Sequence, residues 1–293
     1  MTKAMRWADG FIAVDWGTTN RRAWRIAHGR PIEEFEDAKG VLSVGKTAFP
    51  AAVAEIRERL GNWPMLMAGM VGSNRGWIEA PYVPCPAGFD DVTAALIWAE
   101  EERTAIVPGL SCDPPDVMRG EEVQVLGALE AGLVPEDALV CHPGTHNKWV
   151  TLKAGRIERF RTVMTGEMFN LLQKHSILSD LLTDEMAAGE AFRDGVRRGL
   201  EGDAVTAELF SVRAGVLLGK RRKEDATDYT SGLLIGADVG SSIRHGDGMV
   251  YVMGRPELTR LYAAALGVAG REAKEIDGEA AFLAGIQAIA GRI

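Results

Sequence analysis

The 293-residue chain has only three cysteines, Cys85, Cys112 and Cys141, and they lie far apart. Because the number is odd and no CxxC or metal-ligand spacing occurs, a disulfide framework is not expected, which is typical of a reducing compartment. No stretch approaches the roughly 20 apolar residues of a membrane helix. The first residues also lack the charged-then-apolar order of a signal peptide. These absences predict a cytoplasmic protein that does not enter a membrane.

The chain has fewer basic than acidic residues, 33 against 41, and its net charge is −8. No stripe of Lys and Arg with interleaved aromatic residues occurs, so nucleic acid is not an expected partner. An acidic protein that binds a polyphosphate must build positive potential locally. Backbone N–H groups, a metal ion and a few Arg or Lys side chains can supply it.

The chain is long enough for two domains. A strand, a Gly-Thr turn, two further strands and a helix begin at Phe11, and the same order begins again at Ala138. We therefore predict an α/β protein with domains at residues 1–132 and 133–293, each a mixed five-stranded sheet with flanking helices. Residues 92–102 are predicted to form one of those helices.

The two Gly-Thr turns are candidate phosphate sites, because glycine permits close approach and threonine offers hydroxyl and N–H donors. Asp15 precedes the first turn and could hold Mg²⁺ through water. Each turn alone is equally typical of an ordinary hairpin, so the equivalent placement of the pair carries the prediction. The candidate phosphate ligands are Asp15, Gly17, Thr18 and Thr19 in the first half and Gly144, Thr145, His146 and Lys148 in the second.

An acidic segment opens a predicted helix and holds the candidate general bases Asp116, Glu121 and Glu122. Acids in a first helical turn also suit the helix dipole without any catalytic role. A loop over residues 70–86 is rich in aromatic and polar groups and could hold a small polar ligand or simply cover the core.

Residues 40–47 match the pattern GxxxxGK[ST] of an ATP-binding P-loop. That loop requires a buried strand before it, whereas residues 32–39 contain four acidic side chains. We therefore expect an ordinary strand-to-helix connection here.

Five segments together are similar to the 2-dehydro-3-deoxygalactonokinase family over nearly the whole chain. They are DWGTTNRRAW (15–24), GMVGSNRGWIEAPYVPCPAG (69–88), DVMRGEEVQVLGAL (116–129), HPGTHNKWV (142–150) and TGEMFNLL (165–172). The resemblance implies two ribonuclease-H-like domains of the actin-like ATPase fold, with a cleft between them. It also implies transfer of phosphate from ATP, with Mg²⁺, to the 6-hydroxyl of 2-dehydro-3-deoxy-D-galactonate in galactonate catabolism.

By this resemblance the C-terminal domain binds the nucleotide, with an adenosine motif at Gly254 and the following helix, and the N-terminal domain binds the sugar acid. Arg21, Arg22 or Arg75 could pair with the substrate carboxylate. A homodimer is left as one option for the oligomeric state. The candidate substrate-binding residues are Asn20, Arg21, Ser73, Arg75, Gly76, Trp77 and Tyr82.

Two other functions remain open at this stage. A phosphatase or polyphosphate hydrolase of the same fold would share the turns but need no sugar pocket. A non-enzymatic ATP-switch protein would turn over no small acceptor.

Overall fold

A computed structural model describes residues 7–183, 185–244 and 248–293. Contacts divide the chain into two compact units. Unit 1 runs to Asp137 and includes Leu152–Arg159 and Gly278–Ile293, whereas unit 2 consists of Ala138–Thr151 and Phe160–Asp277. The chain thus crosses between units more often than a single boundary after residue 132 allows. Residues 1–6, which carry part of the N-terminal pattern considered above, lie outside the described residues.

The described residues of the first half of the chain form nine strands and three α-helices. They are β1 (Phe11–Trp16), β2 (Arg21–Ala27), β3 (Arg30–Asp37), α1 (Phe49–Leu60), β4 (Met65–Gly69), β5 (Tyr82–Pro84), α2 (Phe89–Ala94), β6 (Ile97–Glu100), β7 (Thr104–Ile106), β8 (Gly109–Cys112), β9 (Asp116–Met118) and α3 (Glu121–Glu130).

The main sheet of unit 1 has the order β3-β2-β1-β4-β7-β6. The hairpins place β1, β2 and β3 antiparallel, and β4 and β7 then run parallel to β1. The buried strands β1 and β4 pack on α1 through Trp16, Phe49 and Met67. Because β1 and β4 are parallel, their carboxyl ends lie at one edge of the sheet, where ligands of such folds bind.

The predicted helix over residues 92–102 is wrong. Helix α2 ends at Ala94, and Ile97–Glu100 forms the edge strand β6, antiparallel to β7. Trp98 in this strand packs edge-on against Trp7, with ring centroids 6.0 Å apart. Large apolar side chains gain more from this sheet edge than from a short helix. The sheet therefore has six strands, one more than predicted.

A small sheet of order β5-β8-β9 was not predicted. Its strands are only three or four residues long, and two of them border the loop over residues 70–82 and the turn at Gly120. The small sheet therefore fixes the end of the loop over residues 70–82 and the start of the turn at Gly120, both of which carry or adjoin candidate site residues.

In the second half, five strands and six α-helices lie within the described ranges. They are β10 (Ala138–His142), β11 (Asn147–Lys153), β12 (Arg156–Val163), α4 (Thr165–His175), α5 (Glu190–Leu200), α6 (Val205–Leu217), α7 (Ala226–Ser242), β13 (Val250–Gly254), α8 (Pro256–Val268), β14 (Ala273–Asp277) and α9 (Gly278–Ala290).

The second sheet has the order β12-β11-β10-β13-β14, the five strands predicted. Short turns join β10 to β11 and β11 to β12, so these neighbours run antiparallel. Strand β13 runs parallel to β10 and β14 parallel to β13. Trp149, Phe192 and Ile235 belong to the core that joins this sheet to α5, α7 and α8. The order matches that of the first five strands in the main sheet of unit 1, as the repeated sequence pattern predicts.

Helix α9 returns to unit 1 and packs closely on α3. A Cβ atom on Gly127 would lie 1.9 Å from the carbonyl oxygen of Ala281, and one on Gly285 would lie 2.0 Å from that of Val123. The two helix backbones therefore approach at a distance that only glycine permits. None of the helices within the described ranges has the length and apolar content to span a bilayer.

The space around each glycine predicts opposite changes in the free energy of unfolding for two glycine-to-alanine substitutions in helices. Gly127→Ala should lower the free energy of unfolding by about 2 kcal/mol or more, because the methyl group forces α3 and α9 apart. Gly267→Ala in α8, where a Cβ has open space, should raise it by up to about 1 kcal/mol through helix propensity. Urea denaturation of both variants measures the difference, and equal effects would contradict the packing argument.

Candidate functional site

The first Gly-Thr turn joins β1 to β2 at the sheet edge. The Gly17 amide donates to the Asn20 carbonyl at 2.9 Å, which closes the turn. Thr18 and Thr19 remain exposed, and Asp15 directly precedes the turn at the carboxyl end of β1. The turn can therefore offer donors to an anion while the acid lies beside it.

The segment that resembles a P-loop supports this turn. The Gly40 amide donates to the Thr19 carbonyl at 2.8 Å, and a Cβ on Gly40 would lie 2.4 Å from the Thr18 oxygen. The preceding strand β3 is an exposed antiparallel strand at the sheet edge, not a buried parallel one. Residues 40–47 therefore form the ordinary connection expected from the sequence.

Two glycines bring the start of α3 to the end of β1. A Cβ on Gly69, the last residue of β4, would lie 2.8 Å from the Trp16 carbonyl and 3.5 Å from Asp15 Oδ1. Gly120 in turn lies against Gly69, since its Cβ would be 3.1 Å from the Gly69 Cα. Asp15 and the N-terminus of α3 are thereby neighbours.

The two glutamates that open α3 have different environments. The Arg119 amide donates to half-buried Glu121 at 3.0 Å, and the Gly120 amide donates to Glu122 at 2.7 Å. Glu122 is fully buried, and its Oε1 has no hydrogen-bond partner among the described residues. Burial, followed by the charge of Glu121, raises the pKa of Glu122 to about 8. Glu122 is therefore protonated at neutral pH, whereas Glu121 is the accessible acid of the pair.

Asp116 does not join this group. It begins β9, and its carboxylate accepts the Val117 amide at 2.7 Å. A whole short strand separates it from Gly120, so the acidic segment is not one helical turn as the sequence suggested.

The loop over residues 70–82 is rigidly folded. Ser73 is buried and donates to the Met70 carbonyl at 2.7 Å, while the Trp77 amide donates to the Val71 carbonyl at 2.8 Å. Gly76 packs so closely on Val71 that a Cβ would lie 2.1 Å from its oxygen. Ser73, Gly76 and the half-buried Trp77 therefore shape the loop.

Among the predicted substrate-binding residues of this loop, Arg75 and Tyr82 are exposed and can meet a ligand. Arg119 contacts this loop at two points. Its guanidinium donates to the Ala80 carbonyl at 2.8 Å and lies 4.4 Å from the centre of the Tyr82 ring. The same residue precedes Gly120, so it connects the loop to the start of α3.

Arg21 is not placed to bind a substrate carboxylate. Its side chain is completely buried, and it donates to both oxygens of Asp37 at 3.0 Å and to Glu55 at 3.1 Å. Burial by itself would raise the pKa of Asp37. The hydrogen bonds from Arg21 and the Lys39 amide, together with the charges of Arg21 and Arg59, lower that pKa overall. Arg21 therefore holds β2, β3 and α1 together. Asn20, which comes just before it, donates to Glu36 at 3.1 Å.

The second Gly-Thr turn joins β10 to β11 and packs on the start of α4. A Cβ on Gly166 would lie 2.4 Å from the Gly144 carbonyl, and the Glu167 amide donates to the Thr145 carbonyl at 2.9 Å. The His146 ring nitrogen Nε2 and Glu167 Oε2 are 2.5 Å apart. A helix N-terminus thus lies directly against this turn, an arrangement suited to an anion.

A buried carboxylate behind the turn joins four elements of unit 2. Asp238 in α7 accepts hydrogen bonds from Asn147 and Trp149 at 2.8 Å and from Thr165 and Tyr262 at 2.7 Å. These donors belong to β11, α4 and α8. Asp238 therefore fixes the turn, the helix N-terminus and α8 relative to one another.

Lys148 lies on the same strand as Asn147 but is used within the sheet. Its side chain is buried, and Nζ donates to Thr162 in β12 at 2.9 Å. This hydrogen bond keeps the Lys148 ammonium group between β11 and β12.

A cavity of about 260 Å³ opens beside the second turn, entirely within unit 2. Gly144 and Thr145 form one end, α4 and α7 supply polar groups, and α8 supplies an apolar wall. Gly254 ends β13 next to the turn, with its Cβ position 3.5 Å from the Pro143 oxygen. The lining residues away from the turn include Asn170, Gln173, Ser231, Leu258, Leu261 and Tyr262.

Sequence reasoning gave no role to Asp238, Thr165 or Glu167. Thr165 and Glu167 lie in the segment TGEMFNLL, which the resemblance already marked, so that segment was the available signal. Asp238 stands in an apolar helical stretch where only its burial, revealed by the structure, shows its importance.

The two strand orders and the two Gly-Thr turns define an actin-like ATPase fold, the class expected from the sequence. The model of the 2-keto-3-deoxy-galactonokinase family matches residues 15–289. The 2-dehydro-3-deoxygalactonokinase of Escherichia coli (strain K12) is 39% identical, covering 96% of this chain and 97% of the relative. The chain therefore belongs to the 2-keto-3-deoxy-galactonokinase family.

A solved structure agrees with this assignment. A Sinorhizobium meliloti protein with the same kinase designation superposes with a TM-score of 0.89 at 38% identity, covering 96% of this chain and 98% of that chain. The relationship thus extends over the full described fold.

The Asp238 cluster predicts a large loss of stability on truncation. Asp238→Ala should lower the free energy of unfolding by at least about 3 kcal/mol, because buried donors lose their acceptor. Glu224→Ala, at an exposed position of the same unit, should change it by less than about 0.5 kcal/mol. Urea denaturation compares the two, and a small effect at Asp238 would show that the cluster does not stabilise unit 2.

Glu122 predicts a specific dependence of stability on pH. Its pKa is about 8 in the folded chain against an ordinary value of 4.5. Between these values the folded chain holds a proton that the unfolded chain has lost. The group therefore lowers the free energy of unfolding as pH rises, by up to about 1.4 kcal/mol per pH unit.

Glu122→Gln keeps the shape without the titrating proton. Its stability relative to wild type should therefore rise steadily from pH 4.5 to pH 8 in urea denaturation. Glu121→Gln, at the half-buried neighbour, is the comparison variant and should show a weaker trend, because the Glu121 charge is the lesser cause of the raised Glu122 pKa. Parallel pH profiles for wild type and Glu122→Gln would contradict the protonated state.

Proposed function

We propose that this protein transfers the γ-phosphate of ATP to the 6-hydroxyl of 2-dehydro-3-deoxy-D-galactonate, a step of galactonate catabolism. The observation that carries the proposal is the cavity in unit 2 that ends at a Gly-Thr turn and a helix N-terminus. The names of the curated relatives support the choice of acceptor. We expect the reaction in the cytoplasm, where ATP is available.

ATP binds through unit 2 in this proposal. The adenosine occupies the cavity, with Leu258 and Leu261 against the base and Asn170 or Ser231 as polar partners. The phosphates lie along the Gly144–Thr145 turn, where backbone N–H groups and the positive end of α4 favour negative charge. His146, held by Glu167, stands beside the same turn.

Asp15 is the residue that would hold Mg²⁺. Within the described part of the chain no three His, Cys, Asp or Glu side chains are grouped as metal ligands. One carboxylate still fits Mg²⁺, because this ion takes few protein ligands and completes its shell with water and substrate phosphates. Bound there, the ion would neutralise charge on the phosphates.

The sugar acid binds through unit 1 in this proposal. The rigid loop over residues 70–82 offers the exposed guanidinium of Arg75 for the substrate carboxylate and the phenol of Tyr82 for a hydroxyl. Asn20 in the first turn is a further candidate, and its amide already donates to Glu36 at 3.1 Å. Arg22 is a weaker candidate for the carboxylate, because it already donates to Glu279 at 3.2 Å.

Glu121 is the proposed general base. It is accessible, it follows the Gly69–Gly120 contact that brings α3 to Asp15, and it is held by the Arg119 amide. It would take the proton of the 6-hydroxyl as the phosphoryl group is transferred. Glu122 does not suit this role, since it is buried and carries a proton at neutral pH.

Coupled detection of ADP with a panel of 2-keto-3-deoxy sugar acids tests the proposal. ADP should form in proportion to phosphorylated 2-dehydro-3-deoxy-D-galactonate. Asp15→Asn should abolish this turnover, and Glu121→Gln should lower kcat by about 10²-fold or more. Lys46→Ala is the control and should be nearly silent, because Lys46 lies exposed in the connection before α1.

Free phosphate released without a sugar acid would instead indicate a hydrolase of the same fold. Binding of ATP with no turnover of any acid in the panel would indicate an ATP-switch protein.

A further inference from the structure

Helix α6 carries apolar residues on two faces, although a surface helix usually has one apolar stripe. Leu209, Val212 and Val216 pack inward on the cluster around Leu178 and Ala226. The opposite face is left in solvent.

That outer face is the most exposed apolar surface of the described chain that lies on one helix. Phe210 is 61% exposed, Leu217 is 70% exposed and Leu218 is 69% exposed. Ala207 is exposed and Ala214 half-buried on the same side. We call Ala207, Phe210, Ala214 and Leu217 the outer stripe.

The spacing of the outer stripe is that of a helix-helix seam. Its members follow one another at intervals of three, four and three residues, the pattern by which two helices pack along their length. Arg213, which precedes Ala214 in the helix, donates to the Ile177 carbonyl of its own chain at 3.2 Å.

The outer stripe alternates small and large side chains, and this order is complementary to itself. If a second copy of α6 lies antiparallel about a two-fold axis near Val212, Ala207 faces the partner's Leu217. Phe210 then faces the partner's Ala214. Every large side chain is thereby opposite a small one, which fills the seam without clashes. A parallel pair would put Phe210 against the partner's Phe210 instead.

Charge favours the same orientation. At the start of α6 and just before it, the carboxylates of Glu201, Asp203 and Glu208 surround the guanidinium of Arg198, which leaves an acidic end. After α6, residues 220–223 are all basic and outnumber the acids Glu224 and Asp225. An antiparallel pair brings the acidic end of each helix to the basic end of the other.

We propose that α6 is a homodimer interface, in which two copies of this chain pack their outer stripes antiparallel. The helix has 13 residues and is about 20 Å long. A single helix pair of this length buries less than an obligate interface, so we expect a reversible monomer-dimer equilibrium.

Sedimentation velocity over a concentration series tests the interface. Wild type should show a monomer-dimer equilibrium, and Phe210→Glu should weaken it at least about tenfold by placing a charge in the seam. Ile32→Glu, at an equally apolar position that is 54% exposed on β3 of unit 1, is the matched control and should dimerise like wild type. Thermal melts by circular dichroism confirm that both variants are folded.

Disulfide trapping tests the orientation. In the antiparallel pair Ser211 lies beside the partner's Ser211 across the axis, so Ser211→Cys should form a covalent dimer under mild oxidation. The two copies of Ala207 are displaced by about 15 Å along the helices, so Ala207→Cys should not. Wild type controls for Cys85, Cys112 and Cys141.

Three results would overturn the proposal. They are a wild-type monomer at every concentration, a dimer that Phe210→Glu leaves intact, or cross-linking of Ala207→Cys in place of Ser211→Cys.

Discussion

The carboxylate of Asp238 is the constraint on which unit 2 depends. An unpaired buried carboxylate is costly, so its place in the core of α7 requires donors from every side. Asn147, Trp149, Thr165 and Tyr262 provide them. Because these donors lie in the strand after the Gly-Thr turn, at the start of α4 and on a cavity wall, satisfying one charge fixes the geometry of the whole candidate nucleotide site.

Unit 1 also fixes its Gly-Thr turn through a buried charged group, but the group is the guanidinium of Arg21 and not a carboxylate. Arg21 is the first residue of β2, as Asn147 is the first residue of β11, and both are completely buried directly after a Gly-Thr turn. Arg21 is held by Asp37 and Glu55, whereas Asn147 is held by Asp238. In both units a buried polar anchor therefore holds the turn in place while its threonines stay exposed.

Close backbone contacts at glycines position two helix N-termini beside the candidate site residues. Gly69 and Gly120 bring α3 to Asp15, and Gly166 brings α4 to Gly144. In each case a helix begins beside a turn only because no Cβ stands between them. At the start of α3, Glu121 is half-buried and accessible, whereas Glu122 is buried and protonated at neutral pH.

Alternation of short apolar runs with turn residues was enough to predict the repeated strand order and both Gly-Thr turns. These signals are local, and the acidic residues before Gly40 likewise sufficed to reject a P-loop. Prediction failed where the outcome depends on distant partners. Residues 97–100 form a strand because they pair with β7 at the edge of the sheet. Arg21 is buried in the core because Asp37 and Glu55 compensate its charge.

Periodicity and glycine placement act over a few neighbouring residues, so the amino-acid sequence alone predicted the α/β class and both Gly-Thr turns. The resemblance of five longer segments indicated the family. The identity of the buried polar groups and of their partners became clear from the folded chain alone. The folded structure revealed the Asp238 cluster, whose donors lie up to 91 residues away along the chain. Burial and charge compensation are properties of the packed chain, and no short segment contains them.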